Sequence, residues 1–340
     1  MNVERAERIE MIRASAAAIV PADGDLSRPR GLRFGERDFD RAAWGTMADL
    51  GWPALLLAED LGGAEFGMSE LCAIAQSLGR GLAPEPVLDT IIATPLLPEA
   101  VREAVLSGQQ VVVAITQGTF AVTEGGLSGT ARGVMAARDA DAFVVAVEGV
   151  PLTLISRGEG VSVEALSAQD GGTLSAITVS GAQGVALAGD AEALRDRLAL
   201  AASAYLLGIA ERSFELTLDH LRARQQFGKA IGSFQALQHR CSDLLVQLEL
   251  TRAAVEAAAA AIDDRPGARE NALNVARAKA RSGDAAMQIT REAIQLHGGI
   301  GYADESDIGL YLRKAMTMVN QHGSPSAYRR RFAQLSRASA

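Results

Sequence analysis

Leu221-Arg222-Ala223-Arg224-Gln225-Gln226-Phe227-Gly228-Lys229-Ala230-Ile231-Gly232-Ser233-Phe234-Gln235-Ala236-Leu237-Gln238-His239 is the stretch on which the reading of this chain turns. A long helical pattern runs into it and another leaves it after a short break. Gly228 and Gly232 bracket the break, where carrying a helix through glycine costs about 1 kcal/mol relative to alanine. The turn gathers Arg222, Arg224, Gln225, Gln226 and Lys229. Arginine presents a planar fork of donors that matches phosphate oxygens, so the cluster suits a phosphate or a nucleotide. It also suits an ordinary helix corner, whose last turn favours cations because of the helix dipole. The stretch alone leaves both open.

It does not stand alone. Arg224-x-x-Phe227-Gly228, Phe234-Gln235 and Gln238-His239 resemble the hallmark of the acyl-CoA dehydrogenase family. Gln295-Leu296-His297-Gly298-Gly299-Ile300-Gly301-Tyr302 and Leu312-Arg313-Lys314-Ala315 resemble two further family motifs, in the family's order and at about its spacing. The resemblance covers nearly the whole chain and thins in the middle. It implies an α+β fold, mostly α: an N-terminal helical domain over 1–106, a small β-barrel or sandwich over 107–190, and a C-terminal four-helix bundle over 191–340.

The residues support that division independently. Apolar residues at three- and four-residue steps predict helices over 1–20, 38–50 and 68–79, with a polar loop at 21–30. Short β-branched runs at 111–115, 142–147, 152–155 and 174–179, separated by Gly, Asp or Ser, predict strands. The spans 193–221, 233–263, 269–297 and 304–321 predict the four bundle helices, with Arg265-Pro266-Gly267 breaking the second from the third. Ala253, Ala254, Ala257, Ala258 and Ala261 are read as inner positions allowing close helix approach, or as helix propensity alone.

The chain of 340 residues is 48% hydrophobic but only 4% aromatic, so its core has to come from Ala, Leu, Val and Ile. A net charge of −8 argues against nucleic acid as a partner. The two cysteines, Cys72 and Cys241, have no metal-ligand spacing and suit a reducing compartment. Met1-Asn2-Val3-Glu4-Arg5 carries charges where a signal peptide needs an apolar core, and no apolar run reaches membrane-spanning length. The expectation is a cytoplasmic protein with no membrane partner.

Family members oxidise an acyl-CoA thioester to the 2-enoyl thioester: a carboxylate takes the proton beside the carbonyl, and hydride passes to FAD. The resemblance implies that Arg224, Phe227, Gln235, Gln295, Gly298 and Gly299 reach across a subunit interface to a neighbour's FAD. Gly298-Gly299 also suits a helix C-cap, and the two roles are compatible. Departures from the pattern lie elsewhere. The flavin-facing segments correspond to Ile115-Thr116-Gln117-Gly118-Thr119-Phe120 and Arg132-Gly133-Val134-Met135, and lack the family's glutamate, proline and tryptophan. In Asn320-Gln321-His322-Gly323-Ser324, His322 stands where the catalytic glutamate belongs. The other family position for that base falls on Leu198, with Asp196 about 200° away around the helix. Neither position holds a carboxylate. His322 is left as an atypical base, or as a hydrogen-bonding surface residue in a helix-end loop.

Chains with this pattern resemble the short subunits of heteromeric acyl-CoA dehydrogenases of steroid or bile-acid side chains, where a full-length homologous partner bears the base. The expected ligands are an acyl-CoA and an FAD shared with that partner. An active homo-oligomer with an atypical base, and a flavin-free scaffold or acyl-CoA-binding protein, are the alternatives.

Overall fold

The computed structural model describes residues 3–337. The first helix, α1 (Val3–Ala16), buries Ile12 and Ala16 and stops short of the predicted end at 20; Met1 and Asn2 lie outside the described residues. Ser27–Leu32 forms a short helix, α2, where the sequence reads as loop. Pro29 sits in its first turn, where the missing N–H has no intrahelical partner to lose. The next helix, α3 (Arg41–Asp49), begins at Asp40, whose side chain accepts the Ala42 N–H at 2.8 Å. It starts later than predicted because Asp38 is drawn away: it accepts the Thr173 hydroxyl at 2.6 Å and the Arg138 N–H at 3.1 Å. Three more helices follow, α4 (Met68–Arg80), α5 (Val87–Ala93) and α6 (Glu99–Leu106).

The strands are β1 (Val112–Ile115), β2 (Thr119–Thr123), β3 (Gly126–Met135), β4 (Ala142–Val145), β5 (Thr153–Ser156), β6 (Val161–Glu164), β7 (Leu174–Ala182) and β8 (Val185–Ala186). They divide between two four-stranded sheets, ordered β1-β4-β5-β8 and β2-β3-β7-β6. The pairing of β1 with β4 is parallel; the other named pairs are antiparallel. Two separate sheets favour the sandwich over the barrel. The predicted flavin-facing segment 115–120 spans the end of β1, a bend and the start of β2.

The long helices are α7 (Ala191–Ala223), α8 (Gln235–Asp264), α9 (Arg269–His297) and α10 (Ile308–Met318). A fifth, α11 (Pro325–Arg337), packs on α9 and was not predicted: it buries only Tyr328 and is rich in arginine, so no apolar stripe announces it. The alanines of α8 divide by helical period. Ala258 is buried on the face of Thr251, Val255 and Ile262, whereas Ala253 and Ala257 are exposed on the side of Val246 and Leu250, correcting the reading of all five as inner positions. Asp263 of α8 caps α4 by accepting the N–H groups of Met68 and Ser69 at 2.6 and 3.0 Å, which ties the first helices to the bundle.

Candidate functional site

The corner between α7 and α8 is a two-stranded hairpin. Arg224 leaves the helix with extended backbone, its N–H bonded to the His220 carbonyl at 2.9 Å and its own carbonyl accepting the Ile231 N–H at 2.9 Å. Strands β9 (Gln225–Gln226) and β10 (Lys229–Ala230) then pair antiparallel. The two-residue turn between them puts Phe227 at φ 56° and Gly228 at φ 77°, the left-handed pair that a type I′ turn requires. Glycine takes that conformation freely; phenylalanine does not, and here it lifts its ring clear of the bundle. Phe227 is 87% exposed, edge-on to Phe234 at 6.0 Å between centroids. Lys229 Nζ sits 4.2 Å over the Phe234 ring.

Two arginines on this corner differ. Arg222 is paired with Asp219 at 3.2 Å. The Arg224 guanidinium is exposed and makes no ion pair or hydrogen bond among the described residues. Gln235, also exposed, opens α8 on the far side of the hairpin.

The end of α9 lies at the same end of the bundle. His220 of α7 stacks on His297 of α9, ring centroids 4.4 Å apart and planes 24° from parallel. His297 Nδ1 lies 2.7 Å from the Ala293 carbonyl and donates to it. Burial pushes both imidazoles below their usual pKa, and His297 and Arg224 push His220 lower still. Gly298 follows directly at φ 65° and ψ −141°, a conformation reserved for glycine, and ends the helix. A Cβ built on Gly298 or Gly299 would meet nothing within 4 Å. Gln295 is exposed less than a turn back. The structure thus collects Arg224, Phe227, Gln235, Gln295, Gly298 and Gly299 at one end of the bundle.

His322 lies elsewhere, between the sheets and the bundle. Its side chain is 11% exposed, which corrects the surface reading. Nε2 is 3.2 Å from Asp89 Oδ1 and Nδ1 is 3.2 Å from the Thr116 hydroxyl, so both ring nitrogens are engaged. Asp89 is itself held by the Ala114 N–H at 3.0 Å. Neighbouring residues stitch the same loop to the sheets: Gln117 Nε2 donates to the Asn320 carbonyl at 3.3 Å, and Gln321 Nε2 to the Gly133 carbonyl at 3.1 Å. The other base position is closed as well. Leu198 is 1% exposed in the core, and Asp196 is paired with Arg331 at 3.0 Å.

The hollow beside His322 is small, about 60 Å³, lined by Glu85, Asp89, Tyr205, Met318 and His322 among others. A second of about 60 Å³ lies across Lys314, whose Nζ is paired with Asp170 at 3.3 Å. Each has room for a few waters, whereas sites for drug-sized ligands run to roughly 300–1,000 Å³. On the outer side of Thr116-Gln117-Gly118 is an open groove of about 820 Å³. Of its cations, Arg195 donates to the Ala146 carbonyl at 3.2 Å and Arg331 is held by Asp196 and Glu192.

Two features of these regions were not anticipated from the sequence. The His220–His297 stack joins residues far apart in the chain, and no local pattern marks it. Glu85 is the other. Its side chain is fully buried, Oε1 is paired with Arg28, Oε2 has no partner among the described residues, and burial raises its pKa. Pro84-Glu85-Pro86 carries no signal of that burial. Among the described residues no His/Cys/Asp/Glu group is placed to hold a metal, and no helix is long and apolar enough to cross a membrane.

Comparison with known proteins agrees with the fold. Residues 7–101 match the family model "Acyl-CoA dehydrogenase, N-terminal domain" and residues 183–333 match "Acyl-CoA dehydrogenase, C-terminal domain". The chain is 30% identical over 327 residues to acyl-CoA dehydrogenase IpdE2 of Mycobacterium tuberculosis, covering 96% of both chains. It is 31% identical over 331 residues to acyl-CoA dehydrogenase FadE34 of the same organism, spanning 96% of this chain but only 46% of that longer protein. Among solved structures, a variant of the Tcur3481-Tcur3483 steroid ACAD superposes with a TM-score of 0.90 at 24% identity, covering 98% of this chain and 99% of that one. The ChsE4-ChsE5 complex from Mycobacterium tuberculosis gives 0.83 at 24% identity, covering 98% and 97%. The chain has the acyl-CoA dehydrogenase fold, α+β and mostly α, and it belongs to the acyl-CoA dehydrogenase family of FAD-dependent oxidoreductases.

Proposed function

We propose that this chain is the short subunit of a heteromeric enzyme that dehydrogenates acyl-CoA thioesters of a steroid or similar side chain, and that it completes an FAD site seated mainly in a homologous partner. The observation that carries this reading is a contrast within one molecule. At the bundle end, the Arg224 guanidinium is exposed and has no partner among the described residues, and the Gly298-Gly299 backbone is open to approach. Around His322, the space inside the chain is about 60 Å³.

The residues at the bundle end fit a nucleotide diphosphate. Arg224 offers charged donors to phosphate oxygens, and Gly298-Gly299 lets the backbone come close without a side chain between. Gln235 and Gln295 supply amides on either side of the hairpin, and Phe227 supplies an exposed ring. Bound FAD would accept the hydride removed from the acyl chain; the residues of this chain hold its nucleotide portion and leave proton abstraction to the partner.

Two further observations support the reading. Both nitrogens of His322 are taken up by Asp89 and Thr116, which leaves no lone pair aimed at a substrate and counts against the homo-oligomer with an atypical base. Exposed apolar residues extend from the corner along α8, with Phe227, Ile300 and Tyr302 at the bundle end and Leu245, Val246 and Leu250 on the helix. That surface suits a homologous bundle, in an interface of roughly 2,000 Å² or more if the association is obligate.

The test is a pair of substitutions in the chain purified with its partner. Arg224→Ala removes a charged hydrogen bond worth roughly 1.5–3 kcal/mol and should lower FAD affinity by about ten- to a hundredfold. Arg222→Ala, already occupied with Asp219, should leave FAD affinity unchanged. Equal loss in both would reduce the corner to a general cationic patch.

A further inference from the structure

The bundle end is assembled from two helix termini that are remote in sequence. Arg224 hangs from the end of α7, its N–H fixed to the carbonyl of His220 at 2.9 Å. Gly298-Gly299 hangs from the end of α9, directly after His297. Where the two termini meet, those two rings stack at 4.4 Å. We infer that the stacked His220–His297 pair is a positioning element of the nucleotide half-site, and that it couples nucleotide capture to the uptake of a proton. The inference rests on the reading of this bundle end as a cofactor half-site.

The positioning part follows from geometry. The His220 ring stands one turn before Arg224, the His297 ring stands directly before Gly298, and the His297 ring is itself fixed by its hydrogen bond to the Ala293 carbonyl at 2.7 Å. Close by in the chain, Ala293 and Ile294 of α9 and Ile308 of α10 form a small buried cluster, with Leu216 of α7, one turn before His220, and Leu312 of α10 against it. A hydrogen bond between flexible polar groups across the two ends would leave them free to shift. Two stacked flat rings restrict that shift.

The proton follows from the charges that face the pair. From α7 there is Arg224, which acts on His220, and each imidazole faces the other across the stack. Asp219, the nearest acid along α7, is engaged with Arg222. On α8 and α9, Arg240 and Glu292 are paired with each other, and α9 and α10 contribute the apolar residues just named. In the free protein the Arg224 cation therefore discourages a second positive charge on His220. A diphosphate on Arg224 offsets that cation and adds negative charge beside the ring, so binding favours the protonated imidazole. By linkage, whatever binds better to the protonated form must bind more tightly as pH falls. Both imidazoles start below their usual value because they are partly buried, so the gain is absent near pH 8 and develops as pH falls toward and below the ordinary imidazole range.

The experiment uses the flavin-free complex of the chain with its partner and ADP as the probe, titrated by calorimetry at about pH 8 and about pH 6 in buffers of different ionisation heat. ADP binding at about pH 8, weakened at least tenfold by Arg224→Ala, is the expected base line; its absence would overturn the half-site reading itself. On that base line His220→Ala should bind about tenfold more weakly at pH 8, the scale of one misplaced charged hydrogen bond. His220→Phe keeps a flat ring on His297 and should bind at pH 8 as the parent does. The parent should bind more tightly at pH 6 than at pH 8, with net proton uptake; a rise of one unit in the imidazole pKa sets a ceiling of about tenfold. His220→Phe should show none of that gain beyond the part due to the ionisation of ADP, which both proteins share. Undiminished binding by His220→Ala, or the same pH gain in the parent and His220→Phe, would overturn the inference while leaving the half-site in place.

Discussion

Replacing Lys279 by methionine should stabilise the protein by an amount that depends on pH. Lys279 lies within α9 with no exposed surface, and its Nζ has no hydrogen-bond partner among the described residues. Burial alone pushes its pKa from 10.5 down to about 7. In the unfolded chain the amine keeps its proton up to about pH 10.5, whereas the folded protein gives it up near pH 7. Between those values folding releases a proton, so native stability rises with pH across the window; below about pH 7 the penalty stands at its full size. The gap between 10.5 and about 7, at about 1.4 kcal/mol per pH unit, sets that penalty at roughly 5 kcal/mol. Methionine fills similar space without the charge. The gain should therefore approach 5 kcal/mol at about pH 6 and shrink to roughly 2 kcal/mol at about pH 9. With an unfolding entropy of about 2.1 cal/mol/K for each of 340 residues, the larger value raises the melting temperature by roughly 7 °C. Far-ultraviolet circular dichroism through thermal unfolding, at both pH values, measures it. A variant no more stable than the parent at pH 6, or a gain equal at both pH values, would refute the account of Lys279 as an unpartnered buried amine.

Two further outcomes concern the site. His322→Ala should leave the turnover of the assembled complex within a few-fold, whereas losing a true general base costs about 10²–10⁴ in rate. A loss on that scale, with FAD content and assembly intact, would make His322 the base. Gly299→Val should leave the melting temperature of the chain unchanged, because a Cβ there meets nothing within 4 Å. It should nonetheless lower the FAD content of the complex, measured by absorbance after gel filtration; undiminished FAD would remove the glycine pair from the cofactor seat.

What the sequence disclosed followed from local physics. Long apolar periodicities set α7, α8 and α9 to within two residues at each end, because each helix must bury a stripe. Glycine at position 228 marked the break between α7 and α8, although neither the pairing of β9 with β10 nor the left-handed Phe227 beside it was foreseeable from residue type. α11 escaped because its fit to α9 depends on Tyr328 and arginine stems rather than on a repeating apolar face. β2 escaped because four of its five residues are exposed and so carry no alternation between faces. The side-chain partnerships of the site were harder still. His322 meets Asp89 and Thr116 across more than 200 residues of chain, and His220 meets His297 across 77, separations at which composition and spacing say nothing. The unsuspected burial of Glu85 has the same origin, since its partner Arg28 comes from α2, a helix read as loop.

Whether this chain completes a cofactor site it does not house by itself is read from the ratio of flavin to protein. The chain is produced alone and together with a full-length homologue, each is passed through gel filtration, and bound FAD is compared with chain stoichiometry from a denaturing gel. The chain should be colourless when produced alone, and the complex should hold one FAD per pair of unlike chains. One FAD per chain in a homo-oligomer of this protein alone would contradict this, and a complex without flavin would leave the scaffold as the better reading.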